Sequence, residues 1–67
     1  YEGENTLAAC ILKLPARYRE VILLRYHQGY SVKEVAAMLG ISHAAAPKLD
    51  QRAKNRLKEL YEKEGKL

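Results

Sequence analysis

The chain has 67 residues, of which 48% are hydrophobic and 30% charged, so it holds at most one small domain with one core. Its one cysteine excludes an internal disulfide, which favours a reducing compartment and a cytoplasmic location. No apolar stretch reaches the roughly 20 residues that a membrane-spanning helix needs, and no signal peptide is visible, so we expect no membrane partner. Because the chain begins at Tyr1 and not at Met, we expect residues 1–67 to be a single domain from a longer protein.

Two helices are predicted in the first half of the chain. The first runs from Asn5 to Leu14, because apolar residues recur at helical spacing on one face: Leu7, Cys10, Ile11 and Leu14. Pro15 ends it, since the residue before a proline avoids helical geometry, and is itself acceptable as the first residue of a second helix. That second helix is strongly apolar through Tyr26, which we expect in the core or at a helix joint. Gly29 stops it as a left-handed cap.

Two further helices are predicted in the second half. Ser31 and Glu34 form the Ser-x-x-Glu capping box that opens the third helix, and Gly40 closes it. The fourth helix runs from about Ser42 to Glu62. The buried positions of the third are Val32, Val35, Ala36 and Leu39, and those of the fourth are Ala46, Leu49, Ala53, Leu57 and Leu60. The fold class is therefore all-α, a small bundle of four helices.

The last two predicted helices have the spacing of a helix-turn-helix. A small residue, Ala36, stands at the centre of the first, and Gly40 takes a left-handed turn that other residues resist. Ile41 then fills the gap between the helices, and Ser42 caps the second. An ordinary helical hairpin has similar spacing, so the charge of the following helix decides between the two.

Charge is concentrated on that fourth helix. The net charge is +4 and the isoelectric point about 9.4, above the value of roughly 9 that is typical of nucleic-acid-binding domains. Five basic residues and one acid lie between Lys48 and Lys58, so this stretch alone carries the whole net charge. Such a cluster binds polyanions by releasing their counterions, although a solvated helix face has a similar composition. The face opposite the buried positions consists of Lys48, Gln51, Asn55 and Lys58, with Arg52 at its edge.

Several motifs together resemble a known family. The segments are Leu-Pro-Ala-Arg-Tyr-Arg-Glu-Val at 14–21, Gly-Tyr-Ser-Val-Lys-Glu-Val-Ala at 29–36, Leu-Gly-Ile-Ser at 39–42 and Arg-Ala-Lys-Asn-Arg-Leu at 52–57. They resemble region four of bacterial RNA polymerase sigma factors, with closest similarity to the extracytoplasmic-function group. The resemblance covers roughly residues 7–61.

The resemblance implies a role in transcription initiation. Region four places its last helix in the major groove of the minus-35 promoter element, docks on the flap of the polymerase β subunit, and is often covered by an anti-sigma factor. By position, the base-reading residues are Pro47, Lys48, Gln51 and Arg52, and the phosphate contacts are Ser31, Lys33 and Ser42. The sequence adds two polar candidates, His43 at the helix start and Asn55 on the outer face.

The chain departs from the family pattern at the start of the fourth helix. Family members usually carry a basic residue at the position of Pro47, a larger apolar residue at that of Ala46, and an arginine followed by an apolar residue in place of Leu49 and Asp50. An interior proline costs about 3 kcal/mol and disfavours helical geometry at the residue before it. We therefore expect the helix to start late, near Pro47, or to kink there, with Ala46 displaced from helical geometry.

No catalytic arrangement is visible, and one cysteine with two distant histidines gives no metal-ligand spacing, so we expect neither an enzyme nor a cofactor. Two alternatives to promoter recognition remain open. The first is a protein-interaction module of the same fold, with weak DNA reading, which Pro47, Asp50 and the alanines at 44–46 favour. The second is a helix-turn-helix regulator of another family.

Overall fold

The computed structural model describes residues 6–65, and within that range the chain forms four α-helices and no strand. The helices are α1 (Leu7–Lys13), α2 (Ala16–Ile22), α3 (Val32–Leu39) and α4 (Ala45–Leu60). Two of them continue in the wider π-helical form, α2 over Leu23–His27 and α4 over Tyr61–Gly65. The predicted all-α class is confirmed, whereas the π-helical extensions were not anticipated.

The α1–α2 joint follows from local sequence. The Thr6 hydroxyl oxygen accepts the Ala9 N–H at 3.1 Å and caps α1, while Asn5 lies outside the described residues. Leu14 is extended, as expected before a proline, and Pro15 is the N-cap of α2, one residue before its first helical position. Arg19 donates from Nη1 to the carbonyls of Leu12 at 3.1 Å and Leu14 at 3.4 Å. It thereby satisfies carbonyls that the end of α1 leaves without helical partners.

The core lies where α2 and α3 both pack on α4. Its buried apolar residues are Cys10, Leu14, Val21, Ile22, Val35, Ala36, Ala46 and Ala53, and the predicted stripe leucines of α3 and α4 are half-buried against it. Ala36 and Ala53 are both 0% exposed, as expected where helices approach closely. Leu7, which shares the apolar face of α1 with Cys10 and Leu14, is 50% exposed.

The turn between α3 and α4 has the geometry that the helix-turn-helix pattern predicts. Both halves of the capping box form, with Glu34 N–H donating to the Ser31 hydroxyl and Ser31 N–H to the Glu34 carboxylate. Gly40 takes the left-handed conformation, with φ +69°. The Ile41 N–H donates to the Ala36 carbonyl at 3.0 Å, and the Gly40 N–H donates to the Ala37 carbonyl. These two bonds form a Schellman motif, which ends α3 and turns the chain toward α4.

The proline affects the start of α4 and not its interior. The helix begins at Ala45, three residues after Ser42, whose hydroxyl oxygen accepts the Ala45 N–H at 3.0 Å. Pro47 is the third residue of α4. The Ala46 N–H already bonds the Ser42 carbonyl at 3.1 Å in the i→i−4 pattern, so the proline omits the next bond of that pattern, to the His43 carbonyl, within the first turn and not in the helix interior. The expected displacement of Ala46 was wrong: it lies within α4 and is 3% exposed, since its burial in the core outweighs the preference imposed by the next residue.

Candidate nucleic-acid interface

One side of α4 carries a continuous polar surface, which we call the α4 outer face: Lys48, Gln51, Arg52 and Asn55. These positions follow the spacing i, i+3, i+4 and i+7, so they project from the same side of the helix. All four side chains are exposed, because the opposite side of α4 buries Ala46 and Ala53 in the core. The outer face is thus presented by the second helix of the helix-turn-helix.

The cations of the outer face are not neutralised by neighbouring acids. Lys54 is ion-paired with Asp50 at 3.8 Å and Arg56 with Glu59 at 3.2 Å, but Lys48 and Arg52 form no ion pair with any side chain in the range 6–63. Their charges and N–H donors remain available to phosphates and to the acceptor-rich edge of guanine.

The two amides of the outer face are bonded to each other. Gln51 donates from Nε2 to Oδ1 of Asn55 at 3.1 Å, one helical turn away. Such i, i+4 amide pairs restrict both side chains along the helix surface. The outer face therefore has two cations without ion-pair partners beside two amides that are bonded to each other.

The remaining predicted site residues lie in the turn before α4 and at the start of α3. Ser42, His43 and Pro47 are exposed beside the first turn of α4, and Ser31 and Lys33 are exposed at the start of α3. The eight residues of α3 span about 12 Å, so Ser31 and Lys33 stand well away from the turn. All nine predicted residues are therefore on the surface, in two groups. Both serine oxygens accept backbone N–H groups, which leaves their hydroxyl hydrogens free to donate.

Sequence reasoning missed a buried carboxylate on the other side of α4. Asp50 is only 7% exposed, and its two oxygens accept from the Tyr26 hydroxyl at 3.1 and 3.2 Å. Its other close neighbours are cations, Arg25 Nε at 3.6 Å and Lys54 Nζ at 3.8 Å. Asp50 was taken as a departure that weakens DNA reading, but its charge points away from the outer face. Helical spacing could have shown this, because Asp50 lies in the buried stripe, four residues after Ala46.

Asp50, Tyr26, Arg25 and Lys54 form a group that we call the Asp50 cluster. It connects α4 to the joint between α2 and α3. The Arg25 guanidinium lies 5.0 Å from the centre of the Tyr26 ring, and Lys54 Nζ lies 5.9 Å from it, both within range of a cation–π contact. Arg25 also donates from Nη1 to the Tyr30 carbonyl at 3.3 Å, and the Tyr30 N–H bonds the Leu24 carbonyl. Tyr30 thus contributes to the joint through its backbone. The Asp50 cluster fixes how α4 sits against the end of α2.

An apolar groove of about 660 Å³ lies between α1, the extension of α2 and the second half of α4. Its apolar lining includes Leu7, Leu23, Tyr26, Leu57 and Tyr61. Three side chains with basic nitrogens also line it: His27, Lys54 and Lys58. Of the two expected places for Tyr26, the core and a helix joint, the structure shows the joint, since Tyr26 is 50% exposed and bonds Asp50 of α4. The π-helical extension explains this, because its i→i+5 bonds, such as Gln28 N–H to the Leu23 carbonyl, shift later side chains out of the 3.6-residue register.

Two other features are absent from the described part of the chain. The side chains of residues 6–63 include no group of three or more His, Cys, Asp or Glu close enough to hold a metal ion. Among the helices of this range, none combines the length and the apolar character that crossing a membrane requires.

Comparison with known proteins agrees with this geometry. The family model described as sigma-70, region 4, matches residues 4–57. RNA polymerase sigma factor SigZ of Bacillus subtilis (strain 168) is 41% identical to the chain over 61 residues. That alignment covers 91% of this chain and 35% of SigZ, so the chain spans about a third of the length of this relative. No solved structure matched the chain. The family match covers most of the chain and includes α3, the turn and α4 as far as Leu57, and the chain therefore belongs to the sigma-70 region 4 family.

Proposed function

We propose that this domain recognises the minus-35 promoter element during transcription initiation, as part of a sigma factor bound to RNA polymerase in the cytoplasm. The observation that carries the proposal is the α4 outer face, an exposed row of basic and amide side chains on the second helix of a helix-turn-helix. A helix of this kind enters the major groove with its first turns leading and its outer side chains on the base edges.

Each group of exposed residues has a role in this proposal. The four side chains of the α4 outer face meet the base edges, and Pro47 packs at the entrance to the DNA major groove. Ser42 and His43, before the first turn of α4, and Ser31 and Lys33, at the start of α3, contact phosphates on either side. Phosphate contacts fix the position of the protein, whereas base contacts carry the sequence preference.

We further propose that the apolar groove binds the flap of the polymerase β subunit. A sigma factor must hold DNA and polymerase at once, which requires two separate surfaces. The groove meets this requirement, because its α4 residues, such as Lys54 and Leu57, lie on a different side of the helix from Arg52. Its large apolar side chains are unusually exposed for a small domain: Leu7 at 50%, Leu23 at 38% and Tyr61 at 44%.

The second candidate function is a protein-interaction module in which DNA reading is weak. The groove favours this alternative, and so does Pro47, which replaces a basic side chain at a base-reading position. In that case the groove engages polymerase or an anti-sigma factor, while the outer face binds any duplex equally and feebly. Asp50 no longer supports this alternative, because its carboxylate is buried against Tyr26 and Arg25.

The DNA proposal is tested by duplex binding as a function of salt, measured by fluorescence anisotropy with minus-35 and scrambled duplexes. The wild-type chain should prefer the minus-35 duplex. A plot of the logarithm of the binding constant against the logarithm of the salt concentration should have a slope of about −0.9 per phosphate contact. Arg52→Ala should lose about 1–3 kcal/mol of that preference. Arg56→Ala removes the same charge one turn away, where Glu59 already neutralises it, and should keep the preference. Equal binding of both duplexes by the wild-type chain would favour the interaction module.

The flap proposal is tested by a matched pair of charge substitutions. Leu23→Glu introduces a carboxylate into the groove and should abolish binding to the isolated β flap. Leu12→Glu introduces the same group at a side chain that is 70% exposed outside the groove, and should leave flap binding intact. Neither substitution should change the salt slope for DNA. If Leu23→Glu still bound the flap but no longer bound an anti-sigma factor, the flap proposal would be refuted. The groove would then be the binding site of the anti-sigma factor.

A further inference from the structure

We propose that Gln51, held in place by Asn55, is the residue that selects adenine in the DNA site. This inference rests on the proposed function, since it requires α4 to lie in the major groove. The observation behind it is the direction of the hydrogen bond between the two amides, from Gln51 Nε2 to Asn55 Oδ1 at 3.1 Å.

The direction of this bond gives the two amides different recognition chemistry. Gln51 uses one of its two N–H groups and keeps the other together with its free carbonyl oxygen. Asn55 receives the bond on its oxygen and keeps both of its N–H groups for other acceptors. Gln51 is therefore left with one donor and one acceptor on a planar amide, whereas Asn55 acts mainly as a donor.

Adenine is the base that matches such an edge. In the major groove it presents an acceptor, N7, beside a donor, the N6 amino group, and a glutamine amide pairs with both. Guanine presents two acceptors, N7 and O6, so the oxygen of Gln51 would face an oxygen. Lys48 and Arg52, the other long side chains of the outer face, carry donors only and therefore favour guanine over adenine. Gln51 is thus the one base-reading candidate on this face that favours adenine over guanine.

Asn55 is the positioning residue for this contact. Both amides are exposed, and neither forms another hydrogen bond with a side chain of residues 6–63, so the bond between them is what limits the rotation of Gln51. A side chain that is ordered before binding loses less freedom when it meets the base. The stabilisation that such an i, i+4 amide pair usually gives corresponds to roughly a 1.5- to 2-fold change in the binding constant.

The test begins with selection of duplexes by the wild-type chain from a random library at low salt. The consensus should contain an adenine whose enrichment is absent when Gln51→Ala is selected from the same library. On that consensus, replacing the adenine by guanine should weaken wild-type binding by about 5- to 150-fold. Replacing it by 7-deazaadenine, which lacks N7, should weaken binding by about 2- to 12-fold. Both replacements should leave binding by Gln51→Ala nearly unchanged.

The positioning role has its own readout, the ratio of affinities for the adenine and guanine duplexes. Asn55→Ala should reduce this ratio roughly 1.5- to 2-fold. Asn55→Asp keeps the accepting oxygen, so it should restore the ratio even though its charge weakens binding to all DNA. An unchanged ratio in Asn55→Ala would overturn the role of Asn55.

Failure of the two proposals can be told apart. Enrichment of no sequence by the wild-type chain would refute promoter recognition and this inference with it. A wild-type consensus whose adenines are all retained by Gln51→Ala would overturn the inference alone and leave promoter recognition standing.

Discussion

Removal of one hydroxyl group, in Tyr26→Phe, should destabilise the domain more than its surface position suggests. Tyr26 is 50% exposed, and an exposed tyrosine usually loses little stability when it becomes phenylalanine. Its hydroxyl, however, bonds both oxygens of Asp50, which is 7% exposed. Arg25 Nε is 3.6 Å and Lys54 Nζ 3.8 Å from the same carboxylate, and Arg25 Nε makes no hydrogen bond. Tyr26 is thus the one hydrogen-bond donor to Asp50 among residues 6–65.

The magnitude follows from what the carboxylate loses. A buried acceptor left without its partner costs about 1–3 kcal/mol, and more when it is charged. The two nearby cations limit the loss, so we expect a decrease of about 2 kcal/mol in the free energy of unfolding. For a domain of this size that corresponds to a fall in Tm of about 8–16 °C. Urea denaturation and thermal melting, both followed by circular dichroism, measure the two quantities.

Tyr61→Phe is the matched control. Tyr61 lines the same groove at 44% exposure, and its hydroxyl has no hydrogen-bond partner in the described part of the chain, so its loss should cost less than about 0.5 kcal/mol. In the Asp50→Asn background, Tyr26→Phe should cost about 1 kcal/mol, because the bond then joins neutral groups. Equal stability of Tyr26→Phe and Tyr61→Phe, or the same cost in both backgrounds, would refute the reasoning.

Three other substitutions test the local structure by thermal melting. Gly40→Ala should cost about 1–2 kcal/mol, because φ is +69° although an added Cβ would meet no atom within 4 Å; a variant as stable as the wild type would contradict the left-handed turn. Ser31→Ala should cost about 1 kcal/mol through loss of the capping box, and an unchanged Tm would show that the cap contributes nothing. Pro47→Lys should gain less than about 1 kcal/mol, since the proline is in the first turn; a gain near 3 kcal/mol would place it in a strained interior.

Helix identity was predictable from sequence because local signals and apolar spacing agree. Thr6, the Ser31 capping box and Gly40 each act within a few residues, so their geometry does not depend on the rest of the fold. The start of α4 was less predictable. Ala46 is buried by packing against other helices, and this tertiary effect keeps it helical although the following proline disfavours helical geometry there.

The polar side of α4 was predictable in outline, since all nine candidate residues are exposed. The Asp50 cluster was not, because a charged residue in an apolar stripe is interpretable only when its partners are known. Tyr26 and Arg25 come from the π-helical extension of α2, which no local motif predicts and which rotates these side chains toward α4. The groove depends on the same extension, so sequence reasoning missed both features for one reason.

The cluster and the outer face together explain how one helix can serve two surfaces. At about 100° per residue, Asp50 and Arg52 point about 160° apart, so opposite sides of α4 carry the buried carboxylate and the free guanidinium. Asp50 neutralises cations on the groove side, Arg25 and Lys54, while Lys48 and Arg52 keep their full charge toward solvent. Asp50 therefore reduces the positive charge on the groove side and leaves that of the outer face intact, and its removal in Asp50→Asn should make duplex binding stronger at low salt and less selective. A variant that binds more weakly and keeps the wild-type preference would show that Asp50 acts on stability alone.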